Sequence, residues 1–464
     1  MESDTNKIGF YVRQLLNWIS NKNLFLINYP SLQQPILIGN SKLRPETFLE
    51  FRDDSSLFFR SRFLSCILLV GLVFVSCKAS AQEQVKILAP KKEMAIPVTL
   101  KWSERMALSI MKRHPKAWQI DNHEKPKWDY KIGMILTGYE KLYTKTKNPK
   151  YFDYIKGYAD ELIDSNGSFQ DFNPQDHNID FINAGKILFN LYDKTQNQKY
   201  LTALKTLRRQ FDGHPRTQSG GFWHKKIYPN QMWLDGLYMG EPFYARYTVA
   251  FEKGEKLNDV AHQFELLHDH AFDKKTGLFF HAWDESKQMA WANKETGTAP
   301  HIWLRALGWY AMALVDVLDY FPKEHPKHKE LVRYLNEFAV AASKFQDKSG
   351  LWYQVPNLAT KKGNYLEASG SSMLTYAFAK GVNKGYLSSK FKGVANKAFN
   401  GLTKKLIKVD ADGEIHITQV CASAGLGGNP YRDGSYEYYI SEKIKVDNSH
   451  GLGSFLLAAI ELDK

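Results

Sequence analysis

The sequence predicts an all-α chain whose helices pair into six hairpins and close into an (α/α)6 barrel. Three observations carry this expectation. Apolar residues recur at i, i+3, i+4 and i+7 through about a dozen segments, from Thr99 almost to the C-terminus. Two stretches, "YEKLYTKTKNPKYFDYIKGYADELI" and "LFNLYDKTQNQKYLTALKTLRRQF", repeat an aromatic-rich helix end, a polar turn, a Tyr (Tyr151, Tyr200) and a second helix. Helical hairpins at a fixed period build a solenoid or a closed toroid. The last segment, "HGLGSFLLAAIEL", is strongly apolar, whereas an open solenoid needs a polar end cap, so closure is expected.

Taken in order, residues 1–62 read as an N-terminal extension with no sustained period, upstream of the true start. Residues 63–81 carry an export signal. Arg60 and Arg62 precede the uncharged apolar run Phe63–Val75, which is too short to span a bilayer and right for a signal peptide. Two exits follow: Cys77 as the acylated residue of a lipoprotein, or "ASA" cleaved before Gln82. The second is the cleaner match, so a soluble periplasmic protein with no membrane span is expected. Residues 82–464 form a single domain. Its helices are expected at 101–114, 129–146, 149–165, 178–195, 198–211, 231–252, 255–271, 302–321, 326–345, 367–386, 390–407 and 448–463. Only "GLFFHAWD", "GLWYQVP" and "GEIHITQV" read as strands or extended loop edges.

Long connections carry function in such folds. Here they are 212–230, 272–301, 346–366 and 408–447, and they hold Trp223, Trp283, Trp291, Trp352, Tyr353, Tyr431 and Tyr436. Aromatic faces in loops around a cavity suit stacking on sugar rings.

Composition removes several classes. The net charge is +13, but the lysines are scattered over helix surfaces rather than gathered into a stripe with interleaved aromatics, which speaks against a nucleic-acid partner. Of three cysteines, Cys66 and Cys77 fall in the signal and leave only Cys421, so no internal disulfide or Cys-based zinc site is available. His262, His268 and His270 lack the i, i+4 metal spacing, and "GLGGNPYRDGS" reads as a turn-rich loop, not a nucleotide loop.

Chemistry concentrates elsewhere. Asp235, in "QMWLDGLYMGEPFYARY", falls in the first turn of a helix among Trp233, Leu237 and Tyr238. Desolvation raises a carboxyl pKa while the helix dipole and nearby cations lower it, and a group poised between these serves as a general acid. An N-cap aspartate is the plainer alternative. Asp180, in "DHNIDFINAGK", opens another helix, and two acids converging across the cavity mouth are what a glycosidase needs. Arg305 and Trp309 share a helix face, and the Arg calls for a carboxylate, either a structural Asp or that of a uronic acid. His224 and His281 lie in two of the long loops.

The motifs "HNIDFINAGKILFNLY", "NQMWLDGLYMGEPFYARY", "HAWDES…WAN", "WLRALGWYAMALVDVLDYFP", "EASGSSMLTYAFAKGV" and "YRDGSYEYYISE", in that order, resemble glycoside hydrolase family 105, the unsaturated rhamnogalacturonyl hydrolases. The resemblance runs from about residue 100 to the end. It implies removal of a 4-deoxy-4,5-unsaturated uronic acid from lyase-generated oligosaccharides by hydration of the vinyl ether, with no metal or organic cofactor. It implies catalytic roles for Asp235 and Asp180, and sugar contacts for His224, Trp233, Arg305, Trp309 and, more loosely, His281. A conventional inverting glycosidase and a non-catalytic carbohydrate-binding toroid remain the alternatives.

Overall fold

Two hairpin turns are built from local chemistry legible in the chain. In a computed structural model, which describes residues 95–463, α1 spans Trp102–Arg113, α2 Tyr130–Thr146 and α3 Pro149–Leu162. α4 spans Asp180–Asn183, α5 Lys186–Thr195 and α6 Gln198–Gly213. α2 ends on Lys147 in the left-handed region, and the side chain of Asn148 caps α3. α5 ends the same way on Gln196, and Asn197 caps α6. A left-handed residue terminates the first helix, and an Asn side chain accepting from a backbone N–H starts the next. The sequence repeat is therefore a repeat of turn chemistry.

The chain continues through α7 Leu234–Phe251, α8 Leu257–Ala271, α9 Leu304–Val317, α10 Pro326–Lys344, α11 Ala368–Asn383 and α12 Phe391–Lys405. It ends with α13 Tyr436–Ser441 and α14 Ser449–Leu462. Around the ring, α2 packs on α4 and α5, α4 on α7, α7 on α9, α9 on α11, α11 on α14, and α14 back on α2. That last contact closes the (α/α)6 toroid. The inner helices are buried on nearly all sides: every residue of α9 is buried, as is α14 from Ser449 to Ile460. α1, α3, α6, α8, α10 and α12 form the outer layer and bury one face each, which is why their sequences alternate apolar and polar at helical period.

Inner helices can approach this closely because small residues stand at the contacts. A Cβ on Gly133 of α2 would lie 2.4 Å from Ala184 Cα, and one on Gly453 of α14 would meet Met134 and Ile135 of α2 at 2.7 and 2.9 Å.

All six inner helices run the same way. Short turns join their C-terminal ends to the outer helices, and the long connections gather at their N-terminal ends. Short antiparallel strands brace those connections: β1 Gln231–Trp233 with β4 Ala282–Asp284, β2 Phe272–Asp273 with β3 Leu278–Phe279, β5 Ile407–Val409 with β6 Ile415–Ile417, and β7 Val420–Cys421 with β8 Ile444–Lys445.

The expected helices all form, with local corrections. The stretch 178–195 divides into α4 and α5. The stretch 231–252 starts as strand β1, because its backbone pairs with 282–284 before the helix begins. In "GLWYQVP" only Tyr353 bridges, to Leu366, while α13 and the strands β1, β2, β5 and β8 were not anticipated. The N-terminal extension, the export signal, Cys66 and Cys77 lie outside the described residues. Among the described residues no helix is long and apolar enough to cross a membrane.

Candidate active site

The parallel inner ring places six helix N-termini, with their unpaired N–H groups, around one end of the toroid axis. A cavity of about 320 Å³ opens there. Asp235 is the second residue of α7 and Asp180 the first of α4, and both line it.

The loops then bring partners to each acid. Pairing of β1 with β4, continued by the Leu234 N–H donating to the His281 carbonyl at 3.1 Å, sets His281 beside Asp235. His281 Nε2 lies 3.2 Å from Asp235 Oδ2, and its Nδ1 lies 2.7 Å from the Tyr439 hydroxyl. Neither His281 Nε2 nor Asp235 Oδ2 completes an aligned hydrogen bond among the described residues. Burial is the largest influence on Asp235 and pushes its pKa up. The charge of the His281 imidazole, the interaction with that ring, His224 and Arg305 together outweigh it and hold the carboxyl below its ordinary value. The apolar neighbours therefore do not decide the proton affinity of Asp235, as the sequence alone suggested; the imidazoles and the guanidinium around it do.

Asp180 is fixed by a second loop pairing. Asn178 bridges Lys225, and Ile179 N–H donates to the His224 carbonyl. Lys225 Nζ consequently sits 2.7 Å from Asp180 Oδ2, and His224 Nε2 3.4 Å from Oδ1. Burial alone would lower the Lys225 pKa, but the Asp180 charge raises it above the ordinary value. His224 is buried, and desolvation pulls its pKa down to about 4, so it is neutral at pH 7. Trp233 stacks on the His224 ring at 4.6 Å and on Tyr228 at 5.0 Å, making a flat aromatic wall. Gly236 lets His224 come this close: a Cβ there would lie 3.2 Å from its Nδ1.

The structure thus brings Asp235, Asp180, His224 and Trp233 to one cavity, and it sets His281, Arg305 and Trp309 behind its wall. His281 is fully buried and reaches the site through Asp235. Arg305 is also buried; it donates to the Cys421 carbonyl at 2.5 Å and to Ser369 Oγ at 3.3 Å, and it lies over the Trp303 ring. Trp309 stacks on Tyr238 and meets Tyr130 and His450 edge-on. The loop aromatics behave differently from expectation. None of Trp223, Trp283, Trp291, Trp352, Tyr353, Tyr431 or Tyr436 lines the cavity, and Trp283, Trp291, Trp352 and Tyr436 are buried within the loops.

Several cavity residues escaped the sequence reading: Lys127, Tyr130, Lys131, Lys225, Arg432 and His450. Arg432 donates to the Gly427 and Leu426 carbonyls and to the Tyr228 hydroxyl, which turns its glycine-rich loop toward the cavity. Tyr130 and His450 share a hydrogen bond of 2.9 Å and stand in the first turns of α2 and α14. Their position was the available signal, since α2, α4, α7 and α14 all direct their first turns at this cavity.

Two acids from neighbouring inner helices, Asp180 buried and Asp235 half-buried, before an aromatic wall on an (α/α)6 scaffold, have the chemistry of a glycoside hydrolase. The comparisons agree. The model of Glycosyl Hydrolase Family 88 matches residues 102–464. A family 105 glycoside hydrolase structure from C. acetobutylicum is 45% identical, with a TM-score of 0.75 over 78% of this chain and 99% of its own. A 24.9 kDa protein of the picA locus of Rhizobium radiobacter is 34% identical over 231 residues, 48% of this chain and 97% of its own. The unsaturated rhamnogalacturonyl hydrolase YesR of Bacillus subtilis is 28% identical over 270 residues, 57% of this chain and 73% of its own. The chain belongs to glycosyl hydrolase family 88 and, within it, groups with the family 105 enzymes.

Proposed function

We propose that this enzyme removes a 4-deoxy-4,5-unsaturated uronic acid from the non-reducing end of lyase-generated oligosaccharides, with unsaturated rhamnogalacturonan disaccharides as substrates. The observation that carries the reading is Asp235: a half-buried carboxylate whose buried Oδ2 is unengaged by any aligned hydrogen bond among the described residues, in a cavity that also presents Lys127, Lys131, Lys225 and Arg432. Such a cavity suits an anionic sugar. The likeness to YesR favours rhamnose beside the uronate.

In this reading Asp235 donates its proton to C4, and water adds at C5 as the positive charge develops there. Asp180, held by Lys225 and His224, positions that water, and the proton the water loses returns to Asp235. The hemiketal opens and releases the remaining saccharide. The surroundings of Asp235 alone favour its ionised form. A bound uronate supplies negative charge to Arg432 and Lys225 and displaces water, and both effects raise the pKa of Asp235. Behind the wall, His281 holds the acid and packs on Trp233, Trp309 packs on Tyr130 and His450, and Arg305 holds the Cys421 carbonyl.

The test follows the ultraviolet absorbance of the conjugated uronate on mixing with lyase products from rhamnogalacturonan, pectin, ulvan and glycosaminoglycan. Loss of absorbance, fastest with rhamnogalacturonan products, supports the proposal; cleavage of saturated glycosides only would overturn it. We also propose, from the signal-like run at residues 63–81, that the enzyme is exported with Gln82 as the mature N-terminus. Mass spectrometry of the secreted form checks this, and an acylated Cys77 would make it a lipoprotein instead.

A further inference from the structure

The toroid has a second polar cavity, of about 80 Å³, toward the C-terminal ends of the inner helices. Its carboxylates all have cationic partners. Glu140 pairs with Arg246 at 3.3 Å, Asp316 with Lys380 at 2.6 Å, and Asp319 with Lys380 at 2.6 Å and Lys384 at 3.4 Å. Two lining ammonium groups, Lys141 of α2 and Lys186 of α5, have no carboxylate within ion-pair distance among the described residues. Lys186 is 5% exposed, and its Nζ has no hydrogen-bond partner among them. It rests 3.6 Å over the Tyr238 ring, a partner that leaves its charge uncompensated.

Cations near helix C-termini answer the macrodipole, which accounts for Lys380 in the last turn of α11 and not for Lys141, five residues before the end of α2. Lys186 opens α5, where a cation opposes the dipole, so that account fails for it. The catalytic cavity does not explain it either. Tyr238, stacked on Trp309 at 5.0 Å, stands between Lys186 and the Tyr130 and His450 pair that lines the active site.

We propose that this second cavity binds a small inorganic oxyanion, of the size of sulfate or phosphate, between Lys141 and Lys186. The ion supplies the counter-charge the pair lacks in a volume that admits little else. Binding is linked to a proton. Burial, the largest influence, draws the Lys186 amine down to about 7; Asp316 and Glu140 act upward, and Lys141 and Lys380 downward. Arg246 and Asp319 also face this cavity. The anion is held by the protonated amine, so its affinity falls as pH rises through about 7.

Sulfate is the probe, because it stays a dianion across the range. Thermal unfolding of the full chain is followed against sulfate at ionic strength fixed with sodium chloride. The expected result is a saturable rise in Tm near pH 6 and an apparent affinity about 30-fold weaker near pH 8.5, by one-proton linkage. Lys186→Met loses the response, while Lys186→Arg keeps it and loses its pH dependence. An equal response in wild type and Lys186→Met would place the ion in the catalytic cavity and overturn the proposal. So would a wild-type response that is absent near pH 6 or equal at both pH values, a result that stands even where Lys186→Met fails to fold.

Discussion

In the proposed mechanism Asp235 must carry a proton to act, yet its surroundings favour its loss. Removing the proton donor is the first test: Asp235→Asn should lower kcat/KM by about 10²–10⁴-fold, the ordinary worth of a general acid, with Tm unchanged. The pH profile tests the surroundings. The free enzyme loses the active protonated form as pH rises through the depressed pKa of Asp235, so wild-type kcat/KM should fall with rising pH on the acidic side. His281→Asn removes the charge and contact that lower that pKa, so the falling limb should move to higher pH. A limb that stays in place would mean that His281 does not set the acid. The two arginines separate in the same way. Arg305→Met orphans the buried Cys421 carbonyl at a cost of about 1–3 kcal/mol, so unfolding should come at lower temperature along with lost activity. Arg432 is partly exposed and holds its own loop, so Arg432→Met should raise KM about tenfold with little change in Tm, if this guanidinium meets the uronate.

At the scale of elements, the closeness of the inner helices is the constraint to test. Gly133→Ala would drive a Cβ into the Ala184 backbone, which cannot yield as a flexible side chain would. Overpacking of this kind costs about 1–3 kcal/mol, read as a lower midpoint in urea with an unchanged m-value. Helical period, turn chemistry and the apolar final helix made the toroid legible in the sequence, and helix-start position made Asp235 and Asp180 legible. The strands were not legible. A three-residue run such as Gln231–Trp233 has no period to detect, and its partner lies some fifty residues on. Yet that pairing puts His281 against Asp235, and the bridge from Asn178 to Lys225 puts a lysine on Asp180. Chemistry that depends on cross-loop pairing of short segments was therefore hidden, while chemistry carried by one helix start was visible. Arg305 shows the limit from the other side. The sequence asked for a carboxylate beside it, but among the described residues the fold gives it a carbonyl of β7 and the Ser369 hydroxyl instead.

At the scale of the whole molecule, parallel inner helices give the toroid an electrical polarity. Four N-terminal ends (α2, α4, α7 and α14) line the active-site cavity, four cationic side chains (Lys127, Lys131, Lys225 and Arg432) stand in its wall, and the chain carries a net charge of +13. Asp129, Asp180 and Asp235 line the same cavity, but the first two already face Lys131 and Lys225 at ion-pair distance. The anionic substrate proposed above would therefore be drawn in by a field that dissolved salt screens beyond about 10 Å at 0.1 M. The proton transfer occurs between groups in contact, inside that distance, where screening is weak. Raising sodium chloride from about 0.05 M to 0.5 M should then raise KM several-fold and leave kcat within about twofold. Substrate whose uronate carboxylate has been esterified should lose this salt dependence, because it offers no charge to the field. Equal salt dependence of KM for the two substrates would show that the cavity's cations act on the protein's own acids and not on the sugar.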